Sequence, residues 1–490
     1  MTKFFIDQHG CAKNQVDGEL LISRLLECGY EQTFFPEQAD VIIVNSCGFI
    51  ESAKKESLDA LCAAKNAYPN AKIVLAGCLA QRYAQTFKDA LPEADGIFGN
   101  GNLEKIDETV QSVLAGKRPV AVYRQEGICT GERRVMLSYR GSAFVKITEG
   151  CSNHCSFCAI PIIRGELRSR RAESIVNEIK NLLKQGIVEF NLIGQDLAAY
   201  GTGESDDVFG EGRAELPVWI DGKNCGTQKK SALAMLLEKI SAISGNFIVR
   251  LLYIHPDHFN RDILPVMQKD SRLLPYFDIP FQSGDDDIIH KMNRKGSAKS
   301  YLQLANDIKQ ALPNAVLRTT FLTGFPGESE QNAKNTVDFL KKLQSDWSGC
   351  FSYSREEDTP AYSMKKRVSA KIAKARAEEL SSIQMKITET HLKKYIGNEF
   401  DVLIEEIVEG SEGLAIGRAW FQAPDVDGSV VVRYEKESEK ESNLVKTGRF
   451  VKVKICSCSG VDLDGILVAD SSLNSSPSCS NELVFAPEVQ

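Results

Sequence analysis

The chain has 490 residues, enough for about three domains at the usual size of roughly 100–200 residues each. Hydrophobic residues make up 43% and charged residues 26%, which excludes a disordered or fibrous chain. No run of about 18 apolar residues offers a membrane span, and a formal charge of −7 argues against a general nucleic-acid binder.

At the N-terminus Asp7 falls where a signal peptide would still be apolar, so a cytoplasmic protein is expected. The first hundred residues alternate between apolar runs and helical spacing. Strands are predicted at 4–7, 41–44 and 72–76, and helices near 14–29, 51–66 and 79–90. Unbroken β-branched runs between helices call for a parallel sheet covered on both faces, a doubly wound α/β arrangement. From residue 139 a second βα series begins, with strands at 143–149, 188–194, 247–253, 276–281, 316–323 and 349–354. Helices fall near 172–185, 231–244, 259–269, 285–311 (broken at Gly296) and 329–343. Six such units curl into a partial barrel, whose chemistry sits at the carboxyl ends of its strands. Residues 200–230 lack periodicity and read as an inserted loop.

A Lys-rich helix over 368–395 leads into a different pattern. Short alternating strands at 399–404, 413–417, 429–433 and 450–455 suit a small β-barrel, with the run 435–442 as a solvated loop. Residues 396–490 carry 8 Lys+Arg against 17 Asp+Glu, a net of −9, so the acidity lies in the C-terminal fifth. The Ser-rich stretch after 471 reads as a flexible tail.

Fourteen cysteines in a reducing compartment point to metal binding or catalysis wherever they cluster. The sharpest cluster is Cys151-Ser-Asn-His-Cys155-Ser-Phe-Cys158, directly after the first predicted barrel strand. Its spacing lets one short loop wrap three thiolates around an iron–sulfur cube, leaving one iron without a protein ligand. Zinc with His154 as fourth ligand is the alternative, although zinc sites normally pair C-x₂-C motifs. A second set is dispersed: Cys11, Cys47 and Cys78 each follow a predicted strand of the first sheet. Neighbouring parallel strands lie about 4.8 Å apart and open a ligand crevice at their carboxyl ends, so the three thiols converge. Gly10, Gly48 and Gly77 beside them would let the backbone approach a bulky ligand.

The segment Lys146-Ile-Thr-Glu-Gly-Cys151 through Cys158-Ala-Ile-Pro-Ile-Ile-Arg-Gly165 resembles the radical S-adenosylmethionine signature of the methylthiotransferases. The resemblance covers residues 3 to about 470; the insertion near 204–228 and the tail depart from it. It implies an N-terminal methylthiotransferase domain at 1–118, a radical core at 137–374, a linker helix at 375–395, a TRAM barrel at 396–470 and a tail at 471–490. It further implies two [4Fe–4S] clusters. Cys151, Cys155 and Cys158 would hold the one that chelates S-adenosylmethionine and releases a 5′-deoxyadenosyl radical; Cys11, Cys47 and Cys78 would hold an auxiliary one that presents the sulfur. Gly194, Gln195 and Asp196, and Gly324, Gly327 and Glu328, sit at predicted strand ends and are candidate S-adenosylmethionine contacts. His9 and His154 lie beside the two cysteine sets and would tune them or simply face solvent.

Within this family the targets are an adenosine in tRNA or the β-carbon of an aspartate in small-subunit ribosomal protein number twelve. A tRNA-gripping barrel should be basic, because phosphate neutralisation supplies most of the affinity, whereas the acidic one here suits a basic protein. Ala159-Ile-Pro161, Gly194-Gln-Asp196, Tyr276-Phe-Asp-Ile-Pro280 and Ala423-Pro-Asp-Val-Asp-Gly428 resemble the ribosomal-protein group; Gln282-Ser283-Gly284 resembles the tRNA group. The expectation is an aspartate methylthiotransferase acting on that protein, free or on the ribosomal subunit, with separate electron-donor and sulfur-donor proteins and no membrane. A tRNA-modifying enzyme and a zinc-stabilised, non-enzymatic RNA-binding module are the alternatives.

Overall fold

The computed structural model describes residues 1–212, 214, 230–474 and 483–485, together with the backbone of 219–220 and 223–224. Its first sheet is six-stranded and wholly parallel: β1 (Lys3–Gln8), β2 (Glu31–Gln32), β3 (Val41–Ser46), β4 (Lys72–Gly77), β5 (Gly96–Phe98) and β6 (Val120–Ala121), ordered β2-β1-β3-β4-β5-β6. Period-two alternation gives the sheet two apolar faces. Val41 and Ile43 pack with Leu21, Ile22 and Leu25 of α1 (Ala12–Glu27), whereas Ile42 and Val44 pack with Leu61 and Ala64 of α2 (Glu51–Ala67). The chain reverses its direction of winding between β1 and β3, which places the ligand crevice of such a sheet at their carboxyl ends. Strands β2, β5 and β6, which hydrophobic runs did not reveal, are only two or three residues long.

The second sheet is the expected partial barrel. Its strands β7 (Ser142–Lys146), β8 (Glu189–Ile193), β9 (Ile248–Leu251), β10 (Leu273–Asp278), β11 (Val316–Thr323) and β12 (Trp347–Ser352) pair in sequence order, all parallel. The long helical pattern breaks at Gly296 into Asp286–Lys291 and Ala298–Ala311, where a Cβ would lie 2.2 Å from the Tyr301 ring. In the inserted loop Trp219–Ile220 and Lys223–Asn224 form a small antiparallel pair; the rest of 213–229, apart from Ala214, lies outside the described residues.

A helix over Ala370–Leu392 leads to a closed barrel of β13 (Glu399–Ile407), β14 (Leu414–Ala419), β15 (Val430–Arg433), β16 (Phe450–Ser459) and β17 (Asp462–Asp470). Two local expectations change here. The run 435–442, read as a loop, contains a helix at Glu439–Leu444 capped by the Ser438 side chain. The tail is not uniformly free: Val484 and Phe485 pair in parallel with Val135 and Met136, while 475–482 and 486–490 lie outside the described residues.

The small barrel packs residues 418–427 against the amino-end side of the large one. Arg418 donates to Glu189 and Glu405, the Trp347 indole donates to the Phe421 carbonyl, and Tyr276 Oη donates to Asp427 at 2.6 Å. Tyr395 stacks flat on Phe421 with ring centres 3.9 Å apart. Burial raises the Glu405 carboxyl to about 7, aided by the nearby Glu189 charge and opposed by Arg418. The folded chain therefore holds that proton to higher pH than the unfolded chain. The associated stability is complete below the ordinary carboxylate value of 4.5 and is lost as pH rises towards 7. Glu405→Gln is expected to flatten this decline, read from urea midpoints across that interval.

Candidate active site

The order of the first sheet makes β1, β3 and β4 adjacent, and each is followed within three residues by a cysteine. Cys11 is the N-cap of α1, Cys47 follows β3, and Cys78 opens α3 (Cys78–Ala90). The three strand ends approach so closely that their glycines have a specific task. A Cβ on Gly10 would lie 2.9 Å from Cys47 Cβ; on Gly48, 2.7 Å from the Cys78 carbonyl; on Gly77, 2.8 Å from the Ser46 carbonyl. They make room for one another's backbone and cysteines, which is a tighter demand than room for a ligand. Gly10 and Gly77 also adopt φ of +89° and +87°.

The charges around this triad are arranged for sulfur. Arg164 Nη2 lies 3.1 Å from Cys78 Sγ, and the Asn100 amide points at the same sulfur from 3.5 Å. Burial opposes ionisation of Cys11, but Lys13, Arg164 and the backbone N–H groups of Asn14 and Lys13 outweigh it and hold the thiol below its usual value. Burial pushes Cys47 up to about 12, with Cys78 and Cys11 adding to the effect, and burial likewise raises Cys78 against the pull of Arg164.

The second triad sits at the mouth of the partial barrel. Its loop leaves β7 through Thr148–Glu149 and ends at the short helix Ile160–Arg164, held by Cys151 N–H to the Gly165 carbonyl and Ser156 N–H to the Met292 carbonyl. His255 Nε2 lies 3.7 Å from Cys155 Sγ, and the Asn153 amide lies 3.4 Å from Cys151 Sγ. Burial pushes the Cys158 thiol up to about 12, reinforced by Cys155, and raises Cys151 with help from Asp196. Among the described residues no three His, Cys, Asp or Glu side chains close around one point tightly enough to hold a single metal ion.

The two triads adjoin. Cys78, Ala159 and Ile163 form one small apolar cluster, and Arg164 joins Cys78 to Asp17 and Glu149, each at 2.8 Å. Lys146 contacts the same two carboxylates. A second contact lies at the barrel rim, where buried Glu356 receives Arg82 at 2.7 Å and Lys54 at 3.1 Å, while Arg82 also donates to the Gly48 carbonyl.

The other sequence candidates are placed as follows. A Cβ on Gly194 would meet Thr148 Oγ1 at 2.0 Å, and Gln195 Nε2 donates to Glu149 at 3.4 Å. Asp196 is fully engaged by Asn153, His258 and the backbone N–H groups of Ala198 and His255. Gly324 faces Ala373, Gly327 at φ +85° donates to the Lys366 carbonyl, and Glu328 accepts from Arg376 and from Gly324 N–H. His9 turns to Asp7 and Glu56, and exposed His154 to Glu166, so neither histidine is directed at a thiol. Of the remaining cysteines, Cys225 and Cys479 lie outside the described residues and the others are unpaired. Sequence reasoning missed Lys13, Asn14, Asp17, Arg164, His255 and Arg294. The available signal was charge in places that should be apolar, such as Lys146 closing a buried strand.

Family models match three parts of the chain: residues 3–99, described as uncharacterized protein family UPF0004; residues 145–340, radical SAM superfamily; and residues 396–468, TRAM domain. The ribosomal protein uS12 methylthiotransferase RimO of Treponema denticola is 50% identical, over 94% of this chain and 100% of that protein. The chain belongs to the RimO family of radical SAM methylthiotransferases. The Thermotoga maritima member is 37% identical, over 86% of this chain and 92% of its own length. The fold is shared with TsrM, a radical S-adenosylmethionine methyltransferase from Kitasatospora setae, at TM-score 0.51 and 13% identity, covering 79% of this chain and 89% of that one. The family resemblance and three-part fold expected from the sequence are thus borne out. Among the described residues no helix is long and apolar enough to cross a membrane.

Glu356 is 2% exposed and serves two cations from the first domain. Glu356→Ala would leave the Arg82 guanidinium buried without its carboxylate. It is expected to lower the unfolding free energy by about 3–5 kcal/mol, read by chemical denaturation.

Proposed function

We propose that the protein attaches a methylthio group to the β-carbon of an aspartate in ribosomal protein uS12, in the cytoplasm, using two [4Fe–4S] clusters and S-adenosylmethionine. Cys151, Cys155 and Cys158 would hold one cluster and Cys11, Cys47 and Cys78 the other. The observation that carries this reading is two three-thiol sets on separate sheets, joined through Arg164.

The donor sets suit the clusters. Burial raises the Cys47 and Cys158 thiols, and repulsion from the neighbouring thiolates adds to that cost. A cationic metal core removes it by binding the deprotonated form. Three ligands each would leave one iron open. When bound, these groups supply the one-electron and sulfur chemistry that side chains lack.

The chain's own residues supply placement and dryness. Arg164 and the Asn100 amide steady Cys78, while Asn153 and His255 flank Cys151 and Cys155. Asp17, Lys146 and Glu149 keep Arg164 in position, so the two thiol sets hold one separation. Gly194, Gln195 and Asp196, at the end of β8, would line the S-adenosylmethionine side, with Asp196 orienting Asn153 and His258. Gly324, Gly327 and Glu328 would act from the end of β11 by setting the turn, since Glu328 is committed to Arg376. The acidic C-terminal barrel exposes Glu406, Glu409, Glu412, Glu435, Glu437 and Glu439, a surface that would steer a basic protein and repel tRNA.

Anaerobic reconstitution should give about eight irons, falling to about four in a Cys11→Ala/Cys47→Ala/Cys78→Ala variant. Stoichiometric zinc without iron would overturn the reading. Offered purified uS12 and tRNA together, the loaded enzyme should place the methylthio group on the uS12 aspartate, read by peptide mass spectrometry. Modified adenosine in place of modified uS12 would assign the tRNA reaction instead.

A further inference from the structure

Among the described residues, Arg164, Lys146, Arg294 and Lys13 are cationic side chains at or between the two cysteine sets, and three of these are committed. Arg164 serves Cys78, Asp17 and Glu149; Lys146 serves Asp17 and Glu149; Arg294 donates to the carbonyls of Pro280 and Phe281 beside Cys155. The fourth is Lys13. It follows Cys11 by two residues and is 7% exposed, yet among the described residues no carboxylate lies within ion-pair distance of it. Its ammonium instead rests on the face of Tyr253, 3.3 Å from the ring centre. Tyr253 stands just beyond β9, at the carboxyl end of a barrel strand, with φ +69°. A bulky residue held in that region is an unfavourable conformation that persists where its placement is useful.

A ring face compensates a buried ammonium less well than an anion does. Cys11 supplies part of the missing charge, but Arg164 acts on the same sulfur. Lys13 therefore has Tyr253 and Cys11 as its electrostatic partners and, among the described residues, no carboxylate. It bridges the first domain to the barrel mouth, which is where a target carbon must lie to reach both cysteine sets. We propose that Lys13, seated on Tyr253, receives the carboxylate of the substrate's aspartate side chain and so selects an acidic residue over a nucleobase. This inference rests on the proposed reaction. The carboxylate of S-adenosylmethionine has the same chemistry and is the competing source.

The test is a binding cycle on the iron-loaded, full-length enzyme under anaerobic conditions. The parent and Lys13→Met are each titrated with purified uS12 and with uS12 carrying asparagine at the target aspartate. Lys13→Met should weaken uS12 about tenfold, and both enzymes should bind the asparagine form equally. Lys13→Arg should recover most of the loss. An equal loss for both forms of uS12, or no loss for either, would overturn the proposal. So would a tenfold loss of S-adenosylmethionine affinity in Lys13→Met, which gives the ammonium to the cofactor. Iron counts on the same samples close the remaining route: a fall from the parental value would assign Lys13 to cluster retention and overturn the substrate role. Failure of the parent itself to bind uS12 would remove the proposed reaction, and this inference with it, without reference to Lys13.

Discussion

Two sets of thiols on two different sheets can act on one carbon only if the sheets cannot drift relative to each other. The buried square of Asp17, Lys146, Glu149 and Arg164 imposes that constraint. Its members come from α1, the end of β7, the two-residue strand that follows, and the helix after Cys158. Each charge has two opposite neighbours, so removing any one strands a partner in low dielectric. Such a lattice tolerates sliding poorly, because a small shift breaks several short contacts together, whereas an apolar interface of the same area would still be lubricated.

The C-terminal barrel carries two roles in different regions. Its inward face is structural: Tyr276 from one segment that resembled the ribosomal-protein group meets Asp427 from another, and Asp427 also accepts from Ala423 N–H. Those two stretches of sequence belong together because they touch. The dissenting Gln282-Ser283-Gly284 is likewise a packing feature, with Ser283 beside Thr336 and Gly284 against Phe339. The outward face is free of such duties, and there the acidic residues accumulate.

How much was legible follows from which forces act locally. Apolar runs such as Val41–Val44 announce a doubly covered strand, and strand-end cysteines announce a crevice once the sheet is parallel. Short β5 and β6 lack a run long enough to register. Strand β17 was missed because Asp462, Asp464 and Gly465 interrupt its apolar pattern, although pairing with β16 secures it. Most of the site's supporting residues were hidden for a different reason. Lys13 and Asp17, four apart on α1, have the spacing of a solvated helix face, and only docking against Lys146 and Tyr253 buries them. Charge patterns within one element cannot report a neighbour supplied by another.

The parallel pairing of Val484–Phe485 with Val135–Met136 joins segments separated by most of the polypeptide. Phe485 also packs on the barrel's apolar core and lies under Arg140. During translation, then, residues 135–136 emerge early and wait with an open hydrogen-bonding edge until nearly everything else has been synthesised. Completion of this clasp therefore follows the synthesis of Val484 and Phe485 and comes late in biogenesis.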